Sequence, residues 1–156
     1  MRSLSIAAIV WLCGWGPEAA GQLSDRADWI VMTSASADAH PGQLAIDGDG
    51  GTCWISPPQD DQWLMVDLGK TATIIGVTLD WDWQRAADYR VESSSDGQTW
   101  TVCRAVQEAR GAWHRIYFPP SDARYWRIYC ARRVNAAGNG LFEVDFLDES
   151  QRPHVT

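Results

Sequence analysis

Arg124-Tyr125-Trp126-Arg127-Ile128-Tyr129-Cys130 is the stretch that decides the fold. Trp126, Ile128 and Cys130 fall on one side of an extended chain, and Tyr125, Arg127 and Tyr129 on the other. That two-residue period belongs to a strand with one face in a core. The same period runs through Trp29 to Ser34, Gln62 to Leu68, Thr73 to Trp81, Tyr89 to Ser95, Thr99 to Arg104, Trp113 to Phe118 and Leu141 to Leu147. Between the runs stand Leu68-Gly69-Lys70, Asp96-Gly97, Pro119-Pro120 and Asn139-Gly140, whose tolerated or fixed φ suits chain reversal. Only Val106 to Gly111 has helical character, and it is short. Eight strands, each with an apolar face, predict an all-β fold, a jelly-roll β-sandwich, because each sheet must bury that face against another.

A chain of 156 residues that is 46% hydrophobic and 21% charged is the profile of one globular domain. It has no internal repeat or low-complexity linker. The first residues stand apart. Arg2 precedes an apolar run from Leu4 to Leu12, Gly14, Gly16 and Pro17 break it, and Ala19-Ala20-Gly21 places small residues at cleavage spacing. This pattern predicts a signal peptide over residues 1–21 and export to an extracellular or periplasmic space. The run is too short for a bilayer core, which needs about 20 apolar residues. Bulky Trp11 and Leu12 before Cys13 speak against lipid attachment there. The domain is expected over residues 22–148, with residues 149–156 as a frayed tail.

The formal net charge is −7. Binding to a phosphate backbone rests on clustered Lys and Arg, and here Arg132-Arg133 stand alone as an adjacent pair, so nucleic acid is set aside as a partner. An anionic membrane is disfavoured less strongly, since one basic patch outvotes net charge at short range. Beyond the leader, Cys53, Cys103 and Cys130 are an odd number in an oxidising compartment. Cys103 and Cys130 lie in strand-like runs and are the expected pair, leaving Cys53 either buried or available to another chain.

Asp47-Gly48-Asp49-Gly50-Gly51-Thr52 has two readings. Two carboxylates and a hydroxyl within six residues, with glycines that let the backbone curl, suit calcium and its roughly 6 to 8 oxygen ligands. The same residues also suit a tight turn whose Asp side chains bond their own backbone. Of the ten tryptophans, Trp63, Trp100 and Trp126 sit in alternating strands and are expected in the core. Trp81 and Trp83 bracket Asp82 at a strand end beside Asp80, Gln84 and Arg85. Apolar planes next to hydrogen-bonding groups suit a sugar. Trp81, Trp83 and Arg85 are therefore the expected ligand-binding residues, with Trp113 beside His114, and His40 before the acidic loop, as further ones. Catalysis finds no support: the histidines lack metalloprotease spacing, and there is neither a nucleophile elbow nor a phosphate loop. Asp60-Asp61 reads as a solvated pair rather than a glycosidase acid and base.

Several of these segments, taken in order, resemble a known family. They are Ala45-Ile46-Asp47-Gly48-Asp49 followed by Thr52 and Trp54, Gln62-Trp63-Leu64-Met65-Val66-Asp67-Leu68-Gly69, Ser95-Asp96-Gly97-Gln98-Thr99-Trp100, Ala123-Arg124-Tyr125-Trp126-Arg127-Ile128, and Phe142-Glu143-Val144. Together they look like the discoidin, or coagulation factor 5/8 type C, family, which includes carbohydrate-binding module family 32. The resemblance implies a jelly roll with binding loops at one end and no catalysis. It also implies a structural calcium ion held by Asp47, Asp49, Thr52 and Glu143 with the carbonyls of Leu44 and Phe142, and Trp54 packed beneath the loop. Galactose-binding members usually have His after the signature Trp and Arg at the end of the third strand; here Ile55 and Trp81-Asp82-Trp83 stand there. A glycan or polysaccharide is the favoured partner, and an adhesion or assembly role toward protein or phospholipid the alternative.

Overall fold

The computed structural model describes residues 23–153, so the expected signal peptide at 1–21 lies outside the described residues. Seven strands form among the described residues: β1 (Ile30–Thr33), β2 (Trp54–Ile55), β3 (Gln62–Trp81), β4 (Ala86–Ser94), β5 (Thr101–Val106), β6 (Trp113–Arg133) and β7 (Gly140–Leu147). All their pairings are antiparallel. Strands β3 and β6, of 20 and 21 residues, are long because each runs through a corner and serves both layers. One layer has the order β1, first half of β3, second half of β6, β4, β5. The other has the order β2, β7, second half of β3, first half of β6. This is the all-β jelly-roll sandwich that the alternation predicts.

The corners correct two expected reversals. Leu68-Gly69-Lys70 and Pro119-Pro120 do not send the chain back. Register passes from Asp67↔Tyr125 to Ala72↔Ala123 and from Ile74↔Ser121 to Gly76↔Tyr117, so both strands bend together. Gly69 takes φ +76 at the first bend. The prolines have no N–H to give a ladder, which is why pairing is interrupted where they fall. The register shift between Ile74 and Gly76 also changes the phase of β3. Leu64, Val66 and Leu68 point inward before it; Val77, Leu79 and Trp81 do so after it, and Ile74 and Ile75 are both buried. Between the layers Trp126 lies 5.7 Å from Phe146, and Trp81 lies 5.2 Å from Tyr89, ring centre to ring centre.

Val106 to Gly111 is not helical. Val106 ends β5, and the next residues form a loop in which Glu108 N donates to Asp88 Oδ1 (2.9 Å) and Ala109 N to Ala87 O (2.8 Å). The expected frayed tail begins instead with a 3₁₀ turn, Glu149–Gln151, closed by a capping box on Asp148. Trp63 and Trp100 are not core residues. Trp63 pairs with Tyr129 on the outer face of its layer, and the Arg127 guanidinium lies 4.1 Å from the Trp100 ring centre. Of the three expected core tryptophans, Trp126 alone is fully buried.

Candidate functional site at the loop end of the sandwich

Strand β3 ends at Trp81 beside the beginnings of β4, β6 and β7, so the segments 82–85, 107–112 and 134–139 meet at one end. Backbone bonds tie them together. Trp81 N donates to Ala112 O (2.7 Å), Asp82 N to Gly140 O (2.9 Å), Gly140 N to Gln84 O (2.6 Å) and Val134 N to Arg85 O (2.9 Å). A side chain at Gly140 would meet Asp82 Cβ at 2.8 Å, so the 82–85 segment sits directly on the start of β7. The loops at this end are fixed by the ends of rigid strands.

The two tryptophans around Asp82 separate sharply. Trp83 is 67% exposed, while Trp81 is 1% exposed and packs on Tyr89 and His114. The expectation that Trp81 contacts a ligand is therefore corrected: it shares the inward phase of Leu79, and its indole is core. His114 is half-buried and engaged on both ring nitrogens; its Nδ1 meets Tyr89 Oη at 2.7 Å and its Nε2 meets Arg110 O at 2.9 Å. Its neighbour Trp113 is 60% exposed and lies opposite Asp80 across the β3–β6 ladder. Arg85 is partly buried, with Nε enclosed and unpartnered among the described residues. Trp81 Nε1 and Asn139 Oδ1 are the other buried side-chain atoms in that condition, and all three belong to this end. Unsatisfied buried polar atoms are rare, and such a concentration marks a specialised region.

His40 belongs to the same end. Its Nδ1 lies 3.0 Å from Cys53 O and 3.8 Å from Cys53 Sγ, and its carbonyl accepts from Ile55 N (3.3 Å). Burial, and after it the Asp82 carboxylate, push the Cys53 thiol up. Of the two fates open to Cys53, burial holds. The expected Cys103–Cys130 disulfide is corrected, since both thiols are free. Strand β4 lies between β5 and β6, so these residues are two strands apart, roughly 10 Å. A disulfide needs Cα atoms within about 7 Å.

Basic and acidic groups at this end are matched in part, with Arg85 and Arg110 in no ion pair among the described residues. Arg132 pairs with Asp88 (2.7 Å) and Glu108 (2.5 Å), and Arg133 with Asp60 (2.9 Å). Asp61 accepts from Tyr129 Oη (2.9 Å). Asp80 and Asp82 have no ion pair among the described residues; Asp82 Oδ1 accepts from Trp83 N (2.8 Å).

The acidic loop flanks β7. Asp47 accepts from Asp49 N (2.9 Å) and from Thr52 Oγ1 (2.7 Å), which together hold its carboxyl below the usual carboxylate range. Asp49 Oδ1 turns back to Gly51 N (2.9 Å), so Asp49 shapes the turn. Glu143 Oε1 accepts from Gly48 N (2.8 Å), joining loop to strand. Phe142 is a bulge residue, since register passes from Asp80↔Glu143 to Trp81↔Leu141. Among the described residues no three His, Cys, Asp or Glu side chains gather as a metal cluster. The expected set is the carboxylates of Asp47, Asp49 and Glu143, the Thr52 hydroxyl and the carbonyls of Leu44 and Phe142; the structure bonds Thr52 Oγ1 to Asp47 (2.7 Å) and Gly48 N to Glu143 (2.8 Å). That all-oxygen set fits calcium in kind. Arg26 competes for part of it: the guanidinium donates to Glu143, to Asp145 Oδ1 (2.6 Å) and to Ile46 O (2.7 Å). Arg26 is the residue that sequence patterning misses, because nothing local links position 26 to position 143. Trp54 lies fully buried after the loop and donates to Ala35 O (3.2 Å).

Comparison with known proteins matches residues 30–143 to the F5/8 type C domain model. A chitosan-binding module in complex with chitotriose, from a chitosanase/glucanase of Paenibacillus sp. IK-5, is 30% identical with a TM-score of 0.74, over 76% of this chain and 95% of that one. A family 32 module from Clostridium perfringens in complex with galactose is 19% identical with a TM-score of 0.67, over 78% and 94%, and shares the fold. A polysaccharide lyase 8 family protein of Enterococcus faecalis is 37% identical over 70 residues, 45% of this chain; the match spans 5% of that protein.

Proposed function

Since the chain belongs to the F5/8 type C domain family, we propose that it is a secreted, non-catalytic module that binds carbohydrate at the loop end of the sandwich. The observation that carries this reading is Trp83. Its indole is 67% exposed, on a segment clamped to β7, next to Asp82, whose charge is felt at Cys53. An apolar plane stacks on the C–H face of a sugar while short polar groups take its hydroxyls. Trp83 and Trp113 supply the planes, and Asp82, Gln84 and His40 the polar partners.

Calcium belongs to the scaffold in this proposal. Leu44, Asp47, Asp49, Thr52, Phe142 and Glu143 would hold it, and the ion would add a charged clasp between loop and last strand. Support comes from the all-oxygen donor set and from the Gly48–Glu143 bond, which already joins those two elements. Export rests on the leader-like residues 1–21.

The test is a glycan array probed with the wild-type chain and Trp83→Ala, with calcium present. Wild-type binding that Trp83→Ala loses is expected. A blank array, together with capture of the chain by a protein or phospholipid surface, overturns the sugar reading.

A further inference from the structure

We infer that the chain grips an internal stretch of a neutral polysaccharide along the outer face of β6, beyond the sugar held at the loop end; this rests on reading the loop end as a sugar site. Three aromatic side chains stand exposed among the described residues, Trp83, Trp113 and Tyr117, and the last two share one strand. Trp113, Arg115 and Tyr117 alternate with the more buried His114, Ile116 and Phe118, so all three project from the outer face of the second layer. Partners across the β3–β6 ladder widen that face: Asp80 beside Trp113, Thr78 beside Arg115, and Gly76, with no side chain, beside Tyr117. Tyr117 lies about 14 Å along the strand from Trp113, roughly the length of a trisaccharide. Midway along the stripe the face is polar and recessed. Thr78 and Arg115 line a cavity of about 350 Å³ whose other polar groups are Ser24, Arg26, Asp145 and Gln151. The Arg115 guanidinium lies 5.6 Å from the Tyr117 ring centre.

Two aromatic planes with hydrogen-bonding groups between them fit successive rings of one polymer, the planes taking C–H faces and Arg115, Thr78 and Gln151 the hydroxyls. Over these residues β6 is the edge strand of its layer, so among the described residues no further strand of that layer borders the stripe. Charge on this face and the adjoining loop end is of both signs: Arg26, Arg85, Arg110 and Arg115 stand with Asp80, Asp82, Glu143 and Asp145. A polyanion would meet the carboxylates and a polycation the guanidiniums, whereas a neutral polymer meets neither repulsion.

The test is affinity electrophoresis against soluble neutral glucan, mannan, xylan and galactan, followed by competition with size-graded fragments of the polymer that retards the chain most. Retardation by at least one polymer is expected, with trisaccharide and longer fragments competing about tenfold better than the monosaccharide. Tyr117→Ala and Arg115→Ala should each flatten that length dependence while leaving Tm and monosaccharide competition unchanged, whereas Trp83→Ala should weaken every length. The platform is overturned, and the loop-end site left standing, if no polymer retards a chain that still binds arrayed glycans. It is overturned in the same way by a monosaccharide that competes as well as long fragments, or by Tyr117 and Arg115 variants that keep the wild-type length dependence. If neither these polymers nor any arrayed glycan binds, the sugar site itself falls.

Discussion

Trp81 and Trp83 are two residues apart and should respond oppositely to truncation. Trp83→Ala removes an indole that is 67% exposed. A tryptophan presents up to about 250 Å², so roughly 80 Å² of one open face is available to a stacked sugar. At about 25 cal/mol per Å² the stack is worth about 2 kcal/mol, or a roughly 30-fold weaker Kd when it is lost. Folding should lose less than about 0.5 kcal/mol, as for other exposed substitutions. Trp81→Ala empties a site that is 1% exposed and packed on Tyr89 and His114. Its cost is about 3–5 kcal/mol. For a domain of this size that lowers Tm by roughly 10–15 °C. Calorimetric titration with an array-selected glycan and a thermal melt read the two effects separately. A Trp83→Ala chain that binds within twofold of wild type, or a Trp81→Ala chain that melts with wild type, refutes the reasoning.

Chelation should lower Tm and strip calcium from the purified chain; if it changes neither Tm nor calcium content, the structural ion is wrong. Arg26→Met should tighten calcium binding, because it frees a Glu143 oxygen and removes a positive charge beside it, and titration of the metal-free chain reads this. Arg124 donates to both Asp67 oxygens (2.7 and 2.9 Å), holding that carboxyl below its ordinary range. A lowered carboxylate contributes stability above its unfolded value, about 3.9, and loses it as pH falls through the folded value. With Arg124 partly exposed the effect is about 1 kcal/mol, and urea melts of Asp67→Asn between pH 6 and pH 2 should show a flatter acid limb than wild type. Glu92 is 2% exposed between Arg90 (2.8 Å) and Arg127 (2.6 Å), so Glu92→Ala should cost about 3–5 kcal/mol by urea denaturation.

The fold was legible because alternation is a local property: each inward phase, from Leu64-x-Val66-x-Leu68 to Trp126-x-Ile128-x-Cys130, announces a half-buried strand. Long-range geometry was not legible. Gly69 and Pro119-Pro120 break the chain's regularity in sequence, but whether a break reverses a strand or bends it depends on whether its neighbour bends too, as β3 and β6 do. Likewise, Cys103 and Cys130 are both in strands, and only the sheet order reveals β4 between them. The site was half legible. Trp83 and Asp82 were readable as a surface pair, but assigning Trp81 to the core needed its shared phase with Leu79 to outweigh its polar neighbours. Arg26 on Glu143 has no local signal, being 117 residues away along the chain.

The ion pairs divide the carboxylates by task. Asp60, Asp67, Asp88, Glu92 and Glu143 each hold an arginine that ties separate segments together, whereas Asp80 and Asp82 hold none among the described residues. Of these, Asp67 and Asp88 are held bidentately; a partly buried pair is screened weakly, whereas a pair between exposed groups is screened within a Debye length of about 8 Å at physiological salt. Salt should therefore loosen the exposed Arg132–Glu108 pair well before it lowers Tm. A Tm that falls steeply with added salt would mean that the tying carboxylates lie more open to solvent than their partners' burial implies.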